Sequence, residues 1–247
     1  MPSADECTRM QRDGYLVARS FLEPGQLAQL LDWTVELENA PEVSGRHWVY
    51  HEDSLTTPGQ RLIQRIENFC PCHRGFDRFV RFGALPSWTG ALTGGPLVLF
   101  KDKINYKMPG GGGFEAHQDQ QAGWSRYASI FITVMVTLDV ATRENGCLEI
   151  AAGPHRDGLI GQQWAPLEVA SLNLQPVPTE PGDVIFFDSF VPHASKPNFT
   201  RSARRVLYLT YNLADAGDQR SRYFADKHAA FPPDIDRNPD EVYVFRV

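Results

Sequence analysis

Apolar positions recur with a helical period in the first forty residues and alternate as in strands from Leu97 onward. The stretch ADECTRMQRDGYLVARSFL predicts a helix, a turn at Asp13-Gly14 and a short strand. EPGQLAQLLDWTVELENA predicts an amphipathic helix with Leu27, Leu30, Leu31, Trp33 and Leu37 as its apolar positions. Residues 41–60 read as a loop carrying His47, Trp48, Tyr50 and His51, and residues 73–94 read as helical with breaks. The pattern then changes. VLFKDKINYKM (98–108) alternates and is ended by Pro109 and four glycines. Further strands are expected in 128–141, 146–153, 183–195 and 204–214. Short strands separated by turn signals predict a mainly β fold, a double-stranded β-helix (jelly roll) with flanking N-terminal α-helices.

Composition narrows this picture. No Pro/Gly/Ser-rich linker divides the 247 residues and no internal repeat is found, so a single domain over 1–247 is expected. At 42% hydrophobic the chain can bury a sizeable core. A net charge of −6 and the lack of a Lys/Arg run argue against a nucleic-acid partner. The N-terminus has no apolar signal core and no apolar stretch approaches the length of a membrane span, so no membrane partner and a cytoplasmic location are expected. Cys7, Cys70, Cys72 and Cys147 form no set with zinc spacing, and reduced thiols are expected. Cys70-Pro71-Cys72-His73 is a poor chelate, because its two cysteines lie one residue apart.

The chemistry concentrates in His117-Gln118-Asp119 and His193. Two imidazoles and a carboxylate on a strand-rich scaffold are the ligand set of a non-haem Fe(II) oxygenase, which leaves one side of the metal open. Positions i and i+2 of a strand point the same way, so His117 and Asp119 can clamp one ion. His193 would arrive on a second strand. A lone HxD occurs by chance, and a loop histidine can simply hold one backbone hydrogen bond. Arg204 adds weight. A turn at Lys196-Pro197-Asn198 and a returning strand would bring it beside the metal, where a guanidinium can grip the carboxylate of a co-substrate such as 2-oxoglutarate. Arg205 would face the other way. Lys101, Lys103, Asn105 and Lys107 share one strand face. A single lysine is best read as solvated; three on one face before the His117 turn point to a pocket for anions.

HQD, a distal His-x-Ser and the arginine that follows resemble the phytanoyl-CoA dioxygenase superfamily of Fe(II)/2-oxoglutarate enzymes, over almost the whole chain. FKDKINYKMPGGGGFEAHQDQQAGW, TRENGCLEIAAGPH, PGDVIFFDSFVPHASKPN and YFADKHAAFPPDI resemble the branch that contains the 2-aminoethylphosphonate dioxygenases. The resemblance implies that His117, Asp119 and His193 hold iron and that Arg204 pairs with the distal carboxylate of 2-oxoglutarate. Lys107, Asn105 and Ser195 match further co-substrate positions. Lys101 matches a substrate-side position where the related ectoine hydroxylases carry glutamine. Met135 departs from the phytanoyl-CoA enzymes, which carry a bulky aromatic there, and Asp119 departs from halogenases of this fold, which leave that position small. The implied reaction is oxidative, with O2 and 2-oxoglutarate consumed and a substrate C–H hydroxylated.

Three readings follow. The first is a hydroxylase of a small polar substrate, best an aminoalkylphosphonate (2-aminoethylphosphonate or an N-methylated form) at the carbon next to phosphorus. Lys101, Lys103 and Arg126 would face the phosphonate, and Trp124, Tyr50 or Trp48 an ammonium through cation–π contact. The second is a hydroxylase of an amino acid or secondary metabolite with the same cofactors. The third is a non-catalytic metal-binding jelly roll, in which Arg204 has no task. A zinc hydrolase is weaker still, since no general base stands beside the triad.

Overall fold

A capping box starts the first helix. The Ser3 hydroxyl accepts the Glu6 N–H at 3.2 Å and the Glu6 carboxylate accepts the Ser3 N–H at 2.7 Å, satisfying donors that a helix N-terminus leaves open. Helix α1 spans Ala4–Asp13, strand β1 Tyr15–Ala18 and helix α2 Pro24–Asn39, as the pattern predicts. The chain is described by a computed structural model over residues 1–243; the last four positions of the expected 1–247 span lie outside the described residues. Helices α3 (Arg74–Arg81) and α4 (Ala84–Thr93) fill the expected helical region, with the break at Gly83.

The expected loop at 41–60 needs correction. Trp48–Asp53 form strand β2, and Arg61–Glu67 form β3 beside it. The hydropathy pattern misses both because they form the edge hairpin of the sheet. Their positions carry His51, Glu52, Asp53, Arg61, Gln64 and Arg65 rather than alternating apolar groups, and edge strands tolerate such charges. The remaining strands are β4 (Leu97–Lys107), β5 (Phe114–His117), β6 (Phe131–Thr137), β7 (Leu148–Ile150), β8 (Gln175–Val177), β9 (Val184–Asp188), β10 (His193–Ser195) and β11 (Arg204–Leu213). Helix α5 (Arg220–Ala230) follows. Among the described residues no helix is long and apolar enough to cross a membrane.

Two antiparallel sheets make up the jelly roll. The larger has the order β1-β9-β6-β11-β4-β3-β2, the smaller β5-β10-β7-β8. The predicted segment 183–195 is thus divided, β9 going to the large sheet and β10 to the small one. Side-chain alternation assigns the two faces of the large sheet. Ile104, Val134, Phe186, Leu207 and Leu209 pack against Leu30, Phe76, Val80 and Leu85 of α2–α4. Met135, Ile185, Phe187, Val206 and Tyr208 face the small sheet, meeting Leu148 and Ile150. Every residue of β6 is buried, as expected of a strand covered on both faces.

The lysine face of β4 ends at an irregularity. Thr210 pairs with Lys101 and Tyr211 with Leu99, so the ladder skips Phe100. One extra residue reverses the alternation. Leu99 therefore packs in the helix-side core, while Phe100 joins an aromatic cluster with Trp124, Tyr127, Phe131 and Tyr223.

Candidate metal centre and cavity

His117 and His193 stand directly opposite each other where β5 pairs with β10. Their ring centroids are 4.3 Å apart. Each Nδ1 lies within hydrogen-bond distance of a backbone carbonyl, Glu115 for His117 (2.7 Å) and Val191 for His193 (3.0 Å). With Nδ1 as donor, both Nε2 atoms remain available as ligands. Asp119 Oδ1 lies 4.0 Å from each Nε2. Together these three groups offer ligand atoms within 4.8 Å of one another, the arrangement that can hold one ion.

Asp119 reaches this point differently from the strand reading. Strand β5 ends at His117, and Asp119 opens a single 3-10 turn after an extended Gln118 (φ −104°, ψ 138°). The extended Gln118 keeps the two ligands on one side. Its own side chain points away and is fully buried: Nε2 donates to the carbonyls of Gly158 (2.8 Å) and Phe190 (2.6 Å), and Oε1 accepts the Ile160 N–H (2.9 Å). Gln118 thereby ties the HxD turn to two neighbouring loops, a role sequence reading missed. All three ligands come from the small sheet or the turn next to it. The large sheet contributes by orienting them, through the Thr133 hydroxyl that donates to Asp119 Oδ2 at 2.7 Å.

Electrostatics fit a metal. Burial, reinforced by His193, pushes the His117 imidazole down to about 3, and burial lowers His193 as well. Burial opposes ionisation of Asp119, but His193, Lys103, His117 and the Thr133 hydrogen bond outweigh it and lower its carboxyl. Neutral imidazoles beside an ionised carboxylate are the protonation states that ligation requires.

Arg204 does not return beside β10. It lies on β11 in the middle of the large sheet, opposite Lys107 of β4. The residues after Ser195 cross from one sheet to the other instead of forming a hairpin. Arg204 is nevertheless buried between the sheets (1% exposed), and its Nε and Nη1 have no hydrogen-bond partner among the described residues. A buried guanidinium with open donors is unfavourable alone and calls for a carboxylate. Lys107 Nζ, beside it, donates to Ser195 Oγ at 2.8 Å and to the Lys196 carbonyl. Burial, with repulsion from Arg204, lowers Lys107 to about 7. Asn105 Oδ1 is also buried without a partner among the described residues. Arg204, Lys107, Asn105 and Ser195 thus form one polar nest that fits an anionic co-substrate. Arg205 points to the helices and pairs with Asp139 (2.8 Å) and Glu38 (3.7 Å), as its register predicts.

A cavity of about 610 Å³ joins these parts. Its wall includes His117, Asp119 and His193, together with Asn105, Ser195 and Tyr208 from around the polar nest; Lys101, Lys103 and Trp124 line it too. Arg204 and Lys107 are not on the wall but lie under it. Lys103 Nζ sits 4.8 Å from the Tyr208 ring centre, and burial, then Lys101, lowers it to about 7. Arg126 is half exposed at the rim, 3.6 Å from Asp226, so its charge already has a partner. Met135 is fully buried opposite Tyr208 and lies off the wall.

Two expected aromatic contacts do not hold. Tyr50 already carries the Arg65 guanidinium 4.1 Å from its ring centre and stacks on Phe231. Trp48 packs edge-on against Phe224. Neither lines the cavity. Arg65, Glu67, Tyr223, Asp226 and Lys227 do, and sequence reading missed them. The spacing of Tyr223, Asp226 and Lys227, at i, i+3 and i+4 of one helix, is the signal that could have found three of them.

Gly146 offers a direct probe of the polar nest. It has φ +75°, and a side-chain carbon there would meet the Lys196 carbonyl oxygen and lie 2.9 Å from Lys107 Nζ. Backbone cannot give way cheaply. Gly146→Ala should raise the KM for an anionic co-substrate about tenfold, equivalent to roughly 1.4 kcal/mol, with the metal content unchanged. A changed metal content with normal co-substrate KM would place the defect elsewhere.

The phytanoyl-CoA dioxygenase (PhyH) family model matches residues 10–206. The chain is 37% identical over 241 residues to a 2-aminoethylphosphonate dioxygenase from Uncultured bacterium HF130_AEPn_1, covering 94% of this chain and 90% of that protein. It is 38% identical over 231 residues to a methylphosphonate hydroxylase from Gimesia maris, covering 90% and 85%. Among solved structures, EctD from S. alaskensis with 2-oxoglutarate and 5-hydroxyectoine superposes with a TM-score of 0.74 at 23% identity, covering 87% of this chain and 77% of that one.

Proposed function

Because the chain belongs to the phytanoyl-CoA dioxygenase family, we propose that it hydroxylates an aminoalkylphosphonate at the carbon next to phosphorus. It is an Fe(II)- and 2-oxoglutarate-dependent dioxygenase acting on a small molecule. The observation that carries the substrate reading is the cationic wall: Lys101 and Lys103 face the same cavity as the His/Asp/His cluster. Two relatives named for acting on phosphonates support it. The four unpaired cysteines fit a cytoplasmic location.

The residues take the following parts. His117, Asp119 and His193 hold Fe(II), their orientation set by the Glu115 and Val191 carbonyls and by Thr133. Arg204 supplies its open Nε and Nη1 donors to the distal carboxylate of 2-oxoglutarate, with Lys107, Ser195 and Asn105 around it. Bound together, iron, 2-oxoglutarate and O2 supply the oxidation: the co-substrate leaves as succinate and CO2, and a C–H of the substrate becomes C–OH. Lys101 and Lys103 bind the phosphonate, and Trp124 with the Phe100–Tyr223 cluster excludes water from that end. Arg126, tied to Asp226 at the rim, orients what enters.

A substrate panel tests this reading. Succinate release and hydroxylated product should rise together with 2-aminoethylphosphonate, its N-methylated forms or methylphosphonate, and far less with 3-aminopropionate and other amino acids. Equal turnover of the phosphonate and its carboxylate counterpart would remove the substrate assignment and leave the cofactors standing.

A further inference from the structure

We infer that Gln121 is a positioning residue for the substrate: it locks the loop 158–167 over the cavity and ties that cover to the turn that carries Asp119. The inference goes beyond the substrate reading above and does not depend on which small molecule is oxidised.

No residue of 158–167 is buried, so the core does not hold this loop. Polar ties to the metal turn do. Gln121 Nε2 donates to the carbonyls of Gln162 (2.7 Å) and Ala165 (2.5 Å), and the Trp164 N–H donates to the Gln121 carbonyl at 3.0 Å. The Leu167 N–H donates to the Ala116 carbonyl at 2.7 Å. Gln118 holds the other end of the loop, at Gly158 and Ile160. Gln121 Oε1 accepts the Gln118 N–H at 2.8 Å. Both hydrogens and the oxygen of the Gln121 amide are thus in use, and the residue is fully buried. An amide matched in this way has one orientation, with its donors toward the loop.

These bonds bracket Trp164. Its backbone has φ +66°, a conformation that is unfavourable for a tryptophan and persists only where its surroundings fix it. The bonds from Gln121 to residues 162, 164 and 165 supply that constraint. The indole lines the cavity and packs on Gly123, where a side-chain carbon would lie 3.0 Å from the ring. A segment with no buried residue opens locally at small cost. Because its ties converge on residues 116–121, closure of this cover depends on the order of the metal turn.

Donor polarity gives the test. Gln121→Glu places a carboxylate oxygen where Nε2 faces two carbonyls, so attraction becomes repulsion. Gln121→Met only removes the bonds. Gly161→Ala acts from the loop side and leaves the residues of the turn unchanged: a side-chain carbon there would meet Leu167 Cδ2 and lie 2.8 Å from Gln121 Nε2. The first readout is cleavage by chymotrypsin after Trp164, followed by mass spectrometry, which tracks the open population. Cleavage of the Fe(II) enzyme should be about tenfold or more faster in Gln121→Glu, less accelerated in Gln121→Met, and faster than wild type in Gly161→Ala. Anaerobic Fe(II) should slow cleavage of the wild type and not of Gln121→Glu. The second readout is a pair of KM values. The KM for 2-aminoethylphosphonate should rise in the same order, while iron content and the KM for 2-oxoglutarate stay within about twofold of wild type. Wild-type cleavage rates in both Gln121→Glu and Gly161→Ala overturn the inference. So does Gln121→Met opening the loop as far as Gln121→Glu, the result of a packing role alone, or an equal rise in both KM values. If Gln121→Glu folds poorly, Gly161→Ala decides. A wild-type enzyme inert toward every phosphonate overturns the substrate reading, and the cleavage rates then decide this inference by themselves.

Discussion

Replacing Asp119 with alanine should abolish turnover and iron retention together. Asp119 Oδ1 is the carboxylate oxygen 4.0 Å from the Nε2 of both His117 and His193, and it is the charge those two neutral imidazoles lack. Without it, two buried imidazoles remain to hold a dication, in a pocket where Lys103 already repels it. His117→Ala and His193→Ala should behave the same way. Thr133→Val gives a graded control. It removes only the 2.7 Å hydrogen bond that orients Asp119, and loss of such a partner typically costs about 10–100-fold. The ligand variants should therefore fall well below Thr133→Val in activity and in bound iron. Full activity in any ligand variant would remove that residue from the site.

Arg204→Ala should act on the co-substrate. Its guanidinium is buried with Nε and Nη1 unpartnered among the described residues, so a bound carboxylate gains a charge-assisted pair with little competition from water. Losing one side of such a pair costs about 2–5 kcal/mol, so the KM for 2-oxoglutarate should rise from about 30-fold to a few thousandfold, while iron content holds. Arg205→Ala should leave that KM near wild type and lower stability slightly, because Arg205 faces Asp139 and Glu38 on the helix side. Measuring the KM for 2-oxoglutarate in both variants checks the assignment. A swapped pattern would contradict the register in which Arg204 opposes Lys107.

The ligand set was legible because two of its members are neighbours in the chain and the third is a histidine in a strand-like stretch. How Asp119 reaches the ion was not, since a strand and a strand followed by a 3-10 turn carry the same three letters. Arg204 lies buried between the sheets, but not by the expected hairpin from His193, because β10 and β11 belong to different sheets. Hydropathy cannot distinguish a turn from a crossover when both are short and polar. The lysine face of β4 follows from alternation alone. Arg65 and Glu67 lie on β3, one strand in from the edge and without a regular apolar alternation, and Lys227 sits 160 residues from Glu67. Charged residues read one at a time default to solvent; only the fold shows that these converge. Tyr50 and Trp48 were misplaced for the same reason, because their occupied faces depend on Arg65 and Phe224.

The most direct measurement uses labelled dioxygen. Fe(II) enzyme is supplied with 2-oxoglutarate, 2-aminoethylphosphonate and 18O2, and succinate and the phosphonate product are weighed by mass spectrometry. One labelled oxygen should appear in succinate and one in a hydroxyl next to phosphorus, in equal amounts. Succinate formed without labelled phosphonate product, or no consumption of 2-oxoglutarate, would contradict the assignment.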